Sequence, residues 1–316
     1  MSLPQRCAVV GAGTMGPGMA LMLARTGSQV KVMDLTEELL ERARRAVRAA
    51  GEALVGVAEM TQEGLEEALG RISYTTSVEE AVRDAEFVIE AVPERLEIKN
   101  NVYAQLETYA PDSAILASNT SGIPITKLQE GSRLPGRIVG MHWSNPPHII
   151  PVIEVIKGAQ TDDHAVAVTR ALTEAMGHIP VTVKRDVPGF VENRVLYAIM
   201  REALHLLEED VASAEDIDRT VQWGIGFKLA VIPPLALLDV AGLDIYNSVA
   251  SYLNADLSAS AEVSPVVKER VQAGHLGVKT GRGLFEYGEG ELPKLMQRRM
   301  ALLLKLKQAI YNTATE

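Results

Sequence analysis

The chain has 316 residues, 47% of them hydrophobic, enough for two domains with buried cores. A net charge of −10 argues against nucleic acid or an anionic membrane surface as the main partner, while local amides and cations can still hold an anionic cofactor. The single cysteine, Cys7, rules out an internal disulfide and points to a reducing, cytoplasmic compartment.

Cys7 lies in the first apolar run, RCAVVGAG, which reads as a buried strand entering a glycine turn, so the thiol is expected to be inert packing. No secretory leader fits before this strand. GPGMALMLARTG follows as a helix closed by Gly27, then QVKVMD as a second strand. Thr36 is placed to cap a long charged helix, TEELLERARRAVRAAGEALV. The runs AEFVIEAV, AILASNT, RIVGMHW and PVIEVIKG are each short, apolar and bounded by turn residues. This alternation predicts a Rossmann-like, doubly wound, mainly parallel α/β sheet over residues 1–187. Pro188 and Gly189 then interrupt the pattern, and the period turns helical from VPGFVENRVLYAIMREALHLLEED onward. Ser213 with Asp216 resembles a capping box, so residues 188–316 are expected to form a second, all-α domain. Its most apolar stretch, LAVIPPLALLDVAGL, is broken by Pro233, Pro234 and Asp239 and cannot span a bilayer as one helix.

GAGTMG, residues 11–16, sits between the first strand and the first helix. Gly11 permits the tight turn, Gly13 lets backbone approach a pyrophosphate, and Gly16 lets helix and strand pack closely; Thr14 and Met15 complete the turn. Amides at the helix start favour the phosphates. Asp34 ends the second strand, where a carboxylate can accept both ribose hydroxyls and would repel a 2′-phosphate. The expected cofactor is NAD.

Chemistry in open α/β sheets gathers at the carboxyl ends of strands. His142 follows the run RIVGM, and Glu154 lies in the next strand-like run, from which it can reach one imidazole nitrogen. That pairing fixes the tautomer and stabilises the imidazolium formed when the other nitrogen takes a proton, as alcohol oxidation requires. On spacing alone, a hydrogen-bonded core histidine explains His142 equally well. The other histidines share no ligand spacing and no Cys/His cluster suggests a metal. His148 reads as surface or rim packing, Glu90 as a cofactor contact or a strand-end carboxylate held by amides, and Asp186, Glu192 and Arg194 as helix-end charges.

GAGTMG, EAVPE, SNTS, GMHWSNPP, PGFVENRV and GVKTGRGLFEY occur in the order and spacing of the 3-hydroxyacyl-CoA dehydrogenase family, which the chain resembles to about residue 290. The resemblance implies an NAD-binding domain and a helical domain that forms a homodimer contact. It places the catalytic base on His142, its orienting glutamate on Glu154, the serine facing the reacting oxygen on Ser121 and a substrate-contacting asparagine on Asn193. Cofactor contacts fall on Asp34, Ala91, Glu94, Lys99 and Asn119, with Asn145 near the nicotinamide. Fatty-acid members usually read HFFNPV at the histidine, whereas this chain has HWSNPPHIIP, which is similar to relatives acting on small free acids. One such relative oxidises a ring aldehyde through its hydrate. The arm at residues 36–70, where CoA-using members often carry lysines, has none here and is net acidic, so a small carboxylate is expected over a 3-hydroxyacyl-CoA thioester. Its arginines read as a solvated face paired to glutamates. A non-catalytic structural protein on the same scaffold, like lambda-crystallin, is the alternative of another class; Ser121, His142, Glu154 and Asn193 occurring together favour catalysis.

Overall fold

The computed structural model describes residues 2–288 and 290–314, with side chains except at 292, 293 and 311–314. Eight strands form one sheet: β1 (Arg6–Val10), β2 (Gln29–Met33), β3 (Ile72–Thr75), β4 (Phe87–Glu90), β5 (Ile115–Ser118), β6 (Ile138–Trp143), β7 (Val152–Ile156) and β8 (Ile179–Val183). Their spatial order is β3-β2-β1-β4-β5-β6-β7-β8. The first six run parallel, β7 is antiparallel to β6, and β8 is parallel to β7. The expected doubly wound, mainly parallel sheet is present. Its strand order reverses at β1, so the carboxyl ends of β1 and β4 open the crevice where such folds take ligands.

The inner strands are buried along almost their whole length because helices cover both faces. The helix Gly16–Arg25 is buried from Gly16 to Ala24, which explains its nearly unbroken apolar sequence. The next helix, Glu37–Val55, buries one stripe (Leu40, Ala43, Val47, Ala50, Gly51, Leu54), and Thr36 caps it by accepting from the Leu39 amide at 3.3 Å. Strands β3 and β8 were not anticipated from the sequence. Both mix buried with exposed positions, so neither carries a long apolar run.

Two compact units emerge, Met1–Asn193 and Arg194–Glu316. The sequence boundary near residue 187 differs by a few residues, for a physical reason. Phe190 is fully buried in the core cluster of the first unit, which ties the segment after Pro188 to the sheet. The second unit is helical, with Ala214–Arg219, Pro234–Ala241, Leu243–Asp256, Pro265–Gln272 and Glu291–Ala314 among its elements. Ser213 accepts from the Asp216 amide at 3.2 Å, the cap expected from the sequence. Among the described residues no single helix is long and apolar enough to cross a membrane.

Candidate active site

At the end of β1 the three glycines of GAGTMG meet three different constraints. Gly11 has φ +109°, and a β-carbon there would stand 2.5 Å from the Ala91 carbonyl oxygen beyond β4. A β-carbon on Gly16 would stand 2.1 Å from the Gly11 carbonyl oxygen. Neither position admits a side chain. Gly13 has nothing within 4 Å of its missing β-carbon, leaving open backbone in front of the helix that starts at Gly16. Thr14 is exposed and Met15 half-buried at this opening. Asp34, just past β2, accepts from the amides of Ala12 and Leu35, both at 2.7 Å, which fixes its carboxylate beside the glycine turn with lone pairs left over for hydroxyl donors. Open backbone, a helix start and a fixed carboxylate are what a dinucleotide needs, so these residues fit NAD.

Behind the crevice lies a buried polar network. Glu90, the last residue of β4, and Lys99 are both without solvent exposure and pair at 2.7 Å. Glu90 also accepts from the Ser118 hydroxyl at 2.6 Å and the Val92 amide at 2.9 Å. Burial pushes the Glu90 carboxyl above its ordinary range, against the pull of the Lys99 ammonium and these donors. Lys99 further donates to the Asn119 carbonyl at 3.3 Å and lies 3.5 Å from Glu94. Expected as a cofactor contact, Lys99 instead has no surface in this structure that a ligand can touch. Glu94 gathers the SNTS loop, accepting at Oε1 from the Thr120 hydroxyl (2.6 Å) and the amides of Ser121 (2.9 Å) and Gly122 (3.0 Å). Burial raises its carboxyl, but Thr120, Lys99 and these amides together hold it below the usual range. Asn119 turns its side-chain oxygen to the Trp143 amide at 3.1 Å, joining the ends of β5 and β6.

His142 and Glu154 are direct cross-strand partners on the antiparallel pair β6 and β7. Side chains opposite each other on one face of such a pair meet, and Nδ1 of His142 lies 2.7 Å from Oε2 of Glu154. Both residues are buried, at 5% and 2% exposure. With the carboxylate accepting, Nδ1 carries the proton and Nε2 is the basic nitrogen. The other Glu154 oxygen accepts from the amides of Val191 (2.9 Å) and Glu192 (3.1 Å), where the helix Glu192–Glu208 begins. Burial opposes ionisation of Glu154, yet the His142 ring and those two amides hold its carboxyl below the usual range. The amides reach it because Gly189 and Phe190 both turn through positive φ, 77° and 50°. That conformation is costly for a bulky residue. Phe190 then covers the imidazole, with ring centroids 5.8 Å apart.

The same helix start brings Asn193 to the SNTS loop, its side-chain amide donating to the Ser121 carbonyl at 3.0 Å. Ser121 is itself exposed. Asn145 is exposed in a loop whose next residues rest on the first helix: a β-carbon on Gly18 would meet Pro147 at 2.5 Å. His148 is 8% exposed there, packed in rather than on the rim. Three further residues make contacts here that the sequence did not show. Phe190 lies in the PGFVENRV motif with no role assigned to it there, Ser144 was given none either, and Glu192, read as a helix-end charge, instead pairs with Ser144 across 48 positions of sequence, Ser144 donating to both Glu192 oxygens at 2.6 and 2.5 Å.

A dinucleotide crevice and a histidine–carboxylate pair at the end of the sixth strand define an NAD-dependent dehydrogenase of two domains. Residues 6–187 match the NAD binding domain of 3-hydroxyacyl-CoA dehydrogenase and residues 189–287 match its C-terminal domain. The chain belongs to the 3-hydroxyacyl-CoA dehydrogenase family. It is 49% identical over 308 residues to a 5-formyl-3-hydroxy-2-methylpyridine 4-carboxylate 5-dehydrogenase of Mesorhizobium japonicum, covering 96% of this chain and 97% of that one. A crystal structure of the 5-dehydrogenase for that acid, described as an NAD+ dependent dismutase, superposes with TM-score 0.92 at 47% identity over 97% of this chain and 98% of the other. A probable 3-hydroxybutyryl-CoA dehydrogenase of Deinococcus radiodurans is more distant, 36% identical over 280 residues, 88% of this chain and 99% of that one.

Proposed function

We propose that this dehydrogenase oxidises a small free carboxylic acid at a hydroxyl or hydrated aldehyde carbon, with 5-formyl-3-hydroxy-2-methylpyridine 4-carboxylate as the leading substrate. The observation that carries the chemistry is the buried His142–Glu154 pair. Nε2 of His142 takes the proton of the reacting hydroxyl, and Glu154 stabilises the resulting imidazolium. Ser121 and Asn193 orient the reacting oxygen. NAD would supply the hydride acceptor and would be held by Gly11, Gly13, Thr14, Met15, Gly16, Asp34, Ala91, Glu94 and Asn119, with Asn145 near the nicotinamide. Lys99 serves this site from behind by fixing the SNTS loop, which Glu94 also holds.

The arm supports a free acid. Arg42 and Glu38, Arg44 and Glu41, Arg45 and Glu41, and Arg48 and Glu66 are paired, so these cations already have anionic partners other than CoA phosphates. A panel of the formyl-pyridine carboxylate, L-gulonate, free 3-hydroxybutyrate and 3-hydroxybutyryl-CoA, followed by NADH absorbance and by chromatography of the products, tests the reading. Turnover is expected with the formyl acid; turnover confined to the CoA ester would overturn it in favour of the reading suggested by the Deinococcus relative.

We further propose a homodimer built on the helical unit, in a reducing cytoplasmic setting suited to one cysteine whose thiol burial pushes up to about 12. Trp223, Phe227, Leu235 and Tyr252 are each about two-thirds exposed or more. Apolar surface of that extent on one chain is what a permanent interface covers. Sedimentation velocity at micromolar concentration is expected to give a species of twice the chain mass; a monomer would contradict this.

A further inference from the structure

We propose that Glu192 is a second proton acceptor at this site, serving the addition of water to an aldehyde substrate, which an alcohol dehydrogenase does not need. The inference rests on the aldehyde reading above. One ring nitrogen of His142 and one carboxylate oxygen from each of Glu154 and Glu192 lie within 4.8 Å of one another. A single carboxylate suffices to orient an imidazole, and Glu154 already does so. Placing a second beside it is unfavourable on electrostatic grounds unless it has a separate task.

The two carboxylates differ in what they have left to give. Glu154 is largely committed, with Oε2 on His142 and Oε1 on two amides, three of its roughly four lone pairs. These bonds also argue against reading the three residues as a metal site, since Glu154 and Nδ1 would have to give them up. Glu192 is half-buried, and among the described residues its carboxylate receives only the Ser144 hydroxyl and joins no ion pair. One hydroxyl proton shared between two oxygens leaves lone pairs unused. Ser144 therefore fixes the carboxylate while leaving it able to accept from a water.

The stoichiometry of aldehyde oxidation supplies the task. Converting a secondary alcohol to a ketone releases one proton with the hydride. Converting an aldehyde and water to a carboxylate releases two. In the proposed step the water oxygen bonds to the aldehyde carbon as the carbonyl π bond breaks. One water proton passes to Glu192, and the imidazolium of His142 protonates the former carbonyl oxygen. His142 is then neutral and ready to take a hydroxyl proton as the C–H electron pair leaves to NAD. The protons on Glu192 and on the new carboxylic acid go to solvent.

The test separates the two redox directions. Glu192→Gln keeps the size and the bond to Ser144 but is no base. Acid formation from the aldehyde with NAD is expected to fall about 100-fold, within the usual range for losing a base. Reduction of the same aldehyde to its alcohol with NADH needs no water and is expected to stay within about threefold of wild type by the same measure. Without any nicotinamide, exchange of the aldehyde oxygen with ¹⁸O water, followed by rapid-quench mass spectrometry, is expected to be accelerated by wild type and not by the variant. Equal loss in both directions would make Glu192 merely structural, and no loss in either would remove it from the chemistry; each overturns the proposal. A wild type inactive on the aldehyde but active on a hydroxy acid would instead overturn the aldehyde reading, and this inference with it.

Discussion

Replacing His142 by glutamine is expected to lower kcat by about 10²–10⁴-fold, the usual contribution of a positioned general base. Oxidation and reduction should fall together, because the histidine gives back in one direction the proton it takes in the other. NAD affinity, measured by fluorescence titration, is expected to change little, since the glycine turn and Asp34 follow β1 and β2 rather than β6. Glutamine also keeps a donor for Glu154, so the pair's other contacts with the Val191 and Glu192 amides survive. A variant with near wild-type kcat would remove His142 from the mechanism.

Lys99→Met is expected to produce the largest loss of stability among single changes near the site. It would strand Glu90 as a buried carboxylate with no cation, a change worth about 3–5 kcal/mol. For a unit of this size the melting temperature should drop by on the order of 10 °C. The pH dependence has a definite sign. Burial already raises the Glu90 carboxyl, and losing the ammonium raises it further. A group whose folded pKa lies above its unfolded value favours the fold when protonated, so the deficit is greatest at high pH and shrinks as pH falls through the raised value. Adding Glu90→Gln should recover much of the loss by removing the stranded charge. Calorimetry of the single and double variants across pH checks this; a single variant melting within about 2 °C of wild type would show that the pair contributes little.

The cofactor half of the site was legible in the sequence because its chemistry is local. Gly11, Gly13 and Gly16 lie within six residues, and Asp34 directly follows the very next strand. Backbone sterics and a helix start act over that range, so spacing alone states them. The catalytic half was legible only in part. His142 and Glu154 stood out as polar residues in apolar runs, but spacing alone left a core histidine equally plausible, and the family motifs favoured the catalytic reading. Their contact depends on β7 running antiparallel to β6, which brings positions 142 and 154 face to face.

Composition, the alternation of short strands with helices, and the glycine turn by themselves determined a doubly wound α/β domain that holds NAD, followed by a helical one. Only the tertiary structure decided that Lys99 is buried behind the loop instead of facing the crevice, that Phe190 turns through positive φ to aim two amides at Glu154, and that Glu192 stands beside His142. The reason is one of range: propensity and periodicity act between near neighbours, whereas Ser144 and Glu192, or Ser121 and Asn193, meet only after strands and helix have packed.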